Sequence, residues 1–179
     1  MASAYIGRVD RTWTRAMVWV AIAGLVAIDA LYLAIIYAQG GPDPPDVLTV
    51  PFVATYLAVM ALILGASLLS AGWAKAVLRA AASGGLVVLG VIAAFSIGVL
   101  ILVVAAVSMA ATVPVLNIHA KVLVASGLAA VVAAAVLVAG LEYTSHYIVC
   151  PATGGGSGTT GGLFSHVAYQ CDEGVLTTR

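Results

Sequence analysis

The sequence predicts an all-α membrane protein: a bundle of four transmembrane helices followed by a short glycine-rich C-terminal tail. Three observations predict it. Hydrophobic residues fill 63% of the 179 positions and charged residues only 8%, against about 25% charged in soluble globular chains. The apolar residues gather in four runs, each at or above the ~20 residues a helix needs to cross a bilayer. Between the runs stand prolines, glycines and charges, the residues that stop helices. Seven basic and seven acidic side chains cancel to a formal charge of zero, so no overall field draws the chain to nucleic acid, and that class of partner is set aside. The expected surroundings are the lipid bilayer and other membrane subunits or further copies of the chain.

Residues 1–15 form a basic N-terminal segment with Arg8, Arg11 and Arg15. The apolar run after it continues to Tyr37, beyond the apolar core of about 7–15 residues in a cleaved signal peptide. It is therefore read as a retained first helix, 16–37. Gly40, Gly41 and the stretch Pro42-Asp43-Pro44-Pro45-Asp46 end it, because proline removes a backbone donor and clashes with the preceding turn. Pro51 is suited to a first helical turn and opens the second helix, 52–72, which Trp73, Lys75 and Arg79 close.

The third helix is expected near Ser83-Gly84-Gly85 and runs 84–111, longer than a bilayer of about 30 Å requires at 1.5 Å per residue. It must tilt or protrude. Pro114 and Asn117 break it, and the fourth helix, 122–142, ends at Leu141-Glu142. The tail, 143–179, holds the tract from Gly154 to Gly162, which reads as a flexible low-complexity loop. Ile148-Val149-Cys150 and Leu163 to Tyr169 are candidate strands of a small hairpin closed by that loop.

Orientation follows from the excess of Lys and Arg in cytoplasmic loops. With the N-terminus inside, Arg8, Arg11, Arg15, Lys75, Arg79 and Arg179 fall in the cytoplasm and Lys121 alone falls outside. Four crossings return the tail to the cytoplasm of a cell-membrane protein. Trp13, Trp73, Tyr143 and Tyr147 then mark the inner interface, and Tyr37 and Tyr56 lie towards the outer one. The tail creates a tension. Cys150 and Cys171 bracket the glycine tract as a disulfide would, yet disulfides are uncommon in cytosol. Free thiols, a bond in an unusual cytoplasm, or an odd number of crossings would each resolve it.

Helices in lipid associate through close contact between small residues, not through burial from water. Gly90, Ala94 and Gly98 recur every four positions on the third helix, as do Ser126, Ala130 and Ala134 on the fourth, with a shorter Ala61 and Gly65 pair on the second. Intrachain packing is the ordinary reading, and a dedicated oligomerisation face the special one.

Asp29 is the ionisable residue deep in a predicted span, where a carboxylate costs roughly 2.5–3.5 kcal/mol on insertion scales. It is a candidate proton or cation site with Ser96 at similar depth and Tyr32 three residues along the same face; fixing the packing of a neighbouring helix is the plainer role. Glu142 at the end of the fourth helix is a candidate interface ion pair with Lys75 or Arg79. His119 and His146 flank the fourth helix, about 40 Å apart at 1.5 Å per residue, so they cannot share a haem within one chain. His146, His166, Cys150 and Cys171 lack the close spacing of a zinc site. No metal or cofactor is expected. Nucleophile elbows, zinc-protease helices and phosphate loops are also missing from the sequence, which makes a catalytic activity of its own the weaker expectation.

Three functions remain in contest. A non-catalytic subunit or assembly component of a larger membrane complex comes first, a small oligomeric proton- or cation-coupled channel or transporter using Asp29 second, and a thiol-redox protein using Cys150 and Cys171 third.

Overall fold

A computed structural model gives the structure of the chain and describes residues 2–40, 47–115, 120–150, 155–161, 164 and 166–178, with side chains from Thr12 onward except at 115 and 161. Among these residues the elements in order are α1 (Ala2–Ala38), α2 (Thr49–Leu69), α3 (Trp73–Ile92), α4 (Gly98–Thr112), a 3-10 turn (Val113–Val115), α5 (Ala120–Ser145), and strands β1 (Gly155–Gly161), β2 (His166–Asp172) and β3 (Val175–Thr178). Four of the helices are long and apolar enough to cross a membrane: α1 from Thr12, α2, α3 and α5. The fifth, α4, is apolar but shorter. Large apolar side chains such as Val20, Leu62, Val103 and Val131 point outward, as a surface solvated by lipid requires.

The chain forms two compact units, one of residues 1–30 and 57–135, the other of 31–56 and 136–179. In the first, α2 and α3 are joined only through Ser70-Ala71-Gly72. Gly72 adopts φ 60° and ψ −139°, a backbone region essentially confined to glycine. This is a sharp corner, and Trp73 starts α3 where the sequence reading had it closing the second helix.

The expected single helix over 84–111 is two helices. α3 stops at Ile92, α4 starts at Gly98, and the two pack against each other as a hairpin. At the turn the Ala93 carbonyl accepts from the Ser96 N–H (2.9 Å), the Gly98 N–H (2.8 Å) and the Ser96 hydroxyl (3.1 Å). Gly90, Ala94 and Gly98 therefore do not form one helix face. Ala94 lies in the turn, a Cβ at Gly98 would strike the Gly90 carbonyl, and one at Gly90 would come within 2.8 Å of Leu102. The two glycines let the arms of the hairpin close on each other. Elsewhere in this unit Gly84 of α3 lies against Ala130 of α5, where a Cβ would approach the Ala130 Cα at 3.0 Å, and Gly24 of α1 lies under Val104 of α4.

In the second unit Phe52, near the start of α2, packs over Gly140, near the end of α5, and its ring fills the space a Cβ there would take. The end of α5 thus lies beside the start of α2. The tail that follows is a three-stranded antiparallel sheet in the order β1-β2-β3. Its first strand is the glycine tract itself, contrary to the flexible loop expected, and 148–150, a candidate strand, has no regular structure. Gly158 pairs with Tyr169, and the Tyr169 ring lies over the glycine, its hydroxyl 2.9 Å from where a Cβ would be. A cross-strand aromatic is a known way to support a strand glycine. Glu173 (φ 43°) and Gly174 (φ 85°) make the two-residue turn between β2 and β3, with both central residues in the positive-φ region that tight hairpins demand.

Cys150 and Cys171 are joined in a disulfide, their Cα atoms 5.5 Å apart. Two further bonds tie the sheet to the end of α5: the Thr160 hydroxyl donates to the Ser145 carbonyl (2.8 Å) and the Phe164 N–H donates to Glu142 Oε2 (3.3 Å). The proline-rich stretch 42–46, Asn117, His119 and Arg179 lie outside the described residues.

Candidate functional site

Two polar features stand out inside the apolar first unit. The first surrounds Arg79, which is 1% exposed. Its Nη1 donates to the Ala111 carbonyl at 2.8 Å, and its Nε donates to the Ser67 hydroxyl at 3.3 Å. Ala111 is in the last turn of α4, which has no basic residue of its own. Carbonyls there lack intrahelical partners and carry the negative end of the helix dipole, so Arg79 caps α4 from a neighbouring helix. Ser67 passes its own proton to the Leu64 carbonyl (2.6 Å). One turn along α3, the Ser83 hydroxyl shares a 2.8 Å hydrogen bond with that of Ser108. The set binds α2, α3 and α4 together.

The second feature is a groove of about 660 Å³ between α1 and α2. Helical spacing puts Ile22, Leu25, Val26 and Asp29 on one face of α1, and these residues form one wall. The facing side of α2 supplies Leu57, the small residues Ala58, Ala61, Gly65 and Ala66, and Leu69. Asp29 Oδ1 is buried and has no hydrogen-bond partner. Gly65 differs from most helical glycines of the chain. Gly24, Gly84, Gly90, Gly98 and Gly140 each have neighbouring atoms where a Cβ would go, whereas Gly65, like Gly127, has nothing within 4 Å. A carboxyl oxygen in an apolar groove accepts a proton or a cation; among the described residues no second ionisable group lines this one.

The residues expected to act with Asp29 do not line the groove. Ser96 sits exposed in the α3–α4 turn, its hydroxyl donating to the Ala93 carbonyl, and Tyr32 lies further along α1. Arg79 belongs to α3 and to the cluster above, not to an interfacial pair; Lys75 is also within α3. Glu142 accepts from the tail at Phe164. On α5, Ala130 packs on Gly84, Ser126 is buried with an unpartnered hydroxyl, and Ala134 is half-buried. His146 bonds the Glu142 carbonyl through Nδ1 at 2.6 Å, and no group of three or more potential metal ligands occurs among the described residues.

Sequence reasoning found Asp29 and the Ala61 and Gly65 pair but not that they face one groove. It missed the Arg79 cluster because it placed Arg79 beyond a helix end. A signal was present, since Arg79 and Ser83, and likewise Ser108 and Thr112, are polar pairs four residues apart, the spacing that puts two side chains on one helix face. Comparison of the chain with protein families, with characterised proteins and with solved structures finds no match.

Proposed function

We propose that this chain is a non-catalytic subunit of a larger membrane protein complex, and that it holds its partner in the groove between α1 and α2. One observation carries the reading: Asp29 Oδ1 is buried without a partner in a groove floored by small side chains. Unsatisfied polar groups in hydrocarbon are expensive, and small residues let a second helix approach closely. The groove has the character of a helix contact with one helix missing. Ion transport through Asp29 has less support, because conduction pathways are lined by several polar groups and this lining is apolar apart from Asp29 and the Trp19 indole N–H. The Cys150–Cys171 bond, set between the irregular segment after α5 and β2, acts in this reading as a staple of the tail.

The same proposal includes an orientation in the cell membrane, with the N-terminus in the cytoplasm and the tail on the opposite side. Two features support it. α3 and α4 fold back on each other, so together they return the chain to the side where α2 ended, whatever their depth. The end of α5 packs beside the start of α2, the end at which α1 emerged. Arg8, Arg11, Arg15, Lys75, Lys121 and the buried Arg79 then belong to segments at the cytoplasmic side and Arg179 alone does not. That asymmetry equals the one obtained with four crossings, so charge does not separate the two. A disulfide in an oxidising compartment does favour the revised one, and Tyr37, Tyr143 and Tyr147, all exposed, become an outer aromatic belt opposite Trp13 and Trp73.

Purification of the tagged chain from its native membrane in mild detergent tests the function. A stoichiometric partner that is lost from the Asp29→Asn variant is the expected result. Recovery as a lone monomer, or an Asp29-dependent ion flux in vesicles holding this chain alone, would overturn it.

A further inference from the structure

Resting on that subunit reading, we infer that the partner is a different protein whose transmembrane helix presents a lysine or arginine side chain to Asp29. The groove runs along α1 from Trp19 to Asp29 and along α2 from Leu57 to Leu69, about 15 and 18 Å at 1.5 Å per residue. That is the footprint of about three turns of helix. Gly65 sits at its floor with open space above it, although glycine is a poor residue for a helix interior unless something approaches closely. Gly127, a helical glycine that also has open space, is not in the groove.

Asp29 lies about 6 Å beyond the midpoint of the Thr12–Ala38 span, well inside the hydrocarbon. An ionised carboxylate is an acceptor only, and a basic side chain both donates to it and neutralises it, the usual resolution for charge inside a membrane. The long apolar stem of Lys or Arg also lies comfortably along Val26 and Leu62, both exposed in the groove. Among the described residues no Lys or Arg lines the groove, and Arg79, the buried cation of the same unit, is committed to Ser67 and Ala111. A second copy seated symmetrically does not supply it either. From Ala16 through Ala38 of α1 and throughout α2 there is no Lys or Arg, so the copy would bring a second carboxyl to the first. Charge complementarity therefore points to an unlike chain.

The test uses the 179-residue chain in phosphatidylcholine vesicles and two synthetic transmembrane peptides of leucine and alanine, one with a single central lysine and one with leucine there. Association is read by energy transfer. The lysine peptide is expected to bind at least tenfold more tightly than the leucine peptide. Asp29→Asn should remove that difference while leaving weak binding of both, and Gly65→Leu should weaken both peptides. Thermal melts confirm that each variant is folded, and Asp29→Asn decides the matter should Gly65→Leu fail to fold. Equal binding of the two peptides to the native chain would overturn the cation while leaving the groove as a helix seat. No binding of either would overturn both. Saturable, Asp29-dependent binding of tetraphenylphosphonium with no response to the lysine peptide would make the occupant a small lipophilic cation and overturn the inference too. So would a native partner, captured with its complex, whose spans hold no Lys or Arg.

Discussion

Arg79 brings a guanidinium into a bundle where its bonds go to neutral oxygens, the Ala111 carbonyl and the Ser67 hydroxyl. Its removal leaves the last turn of α4 without the cation that satisfies it, and a hydrogen bond to a charged group contributes about 1.5–3 kcal/mol. Arg79→Met is expected to lower stability by about 2–4 kcal/mol, read as unfolding in a mixed detergent series. Arg79→Lys keeps the charge but loses the planar fork that reaches two helices at once, and should recover less than half of that. A Met variant as stable as the native chain would show that apolar packing replaces these bonds without loss.

Two glycines test the packing with opposite signs. Gly84→Ala drives a methyl into Ala130, and overpacking of this kind costs about 1–3 kcal/mol. Gly65→Ala meets open space, so it should stabilise the isolated chain by about 0.5–1 kcal/mol through helix propensity, while weakening partner capture. A loss of stability at Gly65 would place an internal neighbour there and remove the argument for an external one.

Among the elements, the α3–α4 hairpin carries the largest departure from the sequence reading. Residues 84–111 contain no charge or proline, and their turn is Ala93-Ala94-Phe95-Ser96-Ile97. In water a turn shows itself by polarity, because its unpaired backbone must be solvated. Here the turn bonds its own backbone at the Ala93 carbonyl, so hydropathy passes through it unchanged. The end of α1 and both limits of α2 and α5 were legible, within a few residues, because charge, proline and glycine punctuate them; the start of α1 was not, since the helix begins at Ala2 and takes in the basic segment placed before Ala16. The glycine tract was misread for the complementary reason: β1 has no alternation of large side chains, and its pairing depends on Tyr169 and on the disulfide from Cys150 to its neighbour in the sheet, Cys171. Asp29 was legible as an isolated acid in an apolar run, while its groove depends on which helices adjoin. Within the hairpin, Ser83 and Ser108 form the contact between two polar side chains of the arms, beside the bond from Arg79 to the Ala111 carbonyl. A double-mutant cycle with alanine at both should give a coupling of about 0.6 kcal/mol, the typical value for one hydrogen bond between membrane helices. A coupling indistinguishable from zero would mean that the close packing at Gly90 and Gly98 and the Arg79–Ala111 bond hold the hairpin without it.

At the scale of the molecule, the side of the tail depends on parity, not on the exact number of spans. A hairpin that crosses twice and one that enters and returns both leave α5 starting where α2 ended. In the proposed orientation the tail then emerges on the side of the α1–α2 connection, a reading that Phe52 lying on Gly140 and the Cys150–Cys171 bond support. A four-crossing chain would instead carry that bond into a reducing compartment, where thiols are the stable form. The two arrangements differ in a measurable way. Alkaline phosphatase fused after residue 179 should be active in whole cells and green fluorescent protein fused there should be dark, since the first needs an oxidising compartment and the second fails to mature after export. Treatment of intact cells with a membrane-impermeant phosphine should also free Cys150 and Cys171 for an impermeant maleimide, with no labelling before reduction. Bright green fluorescence with an inactive phosphatase would return the tail to the cytoplasm. Helix α5 would then have to run opposite to the direction that the Phe52 contact requires, and the pairing of α3 with α4 would be the first element to reconsider.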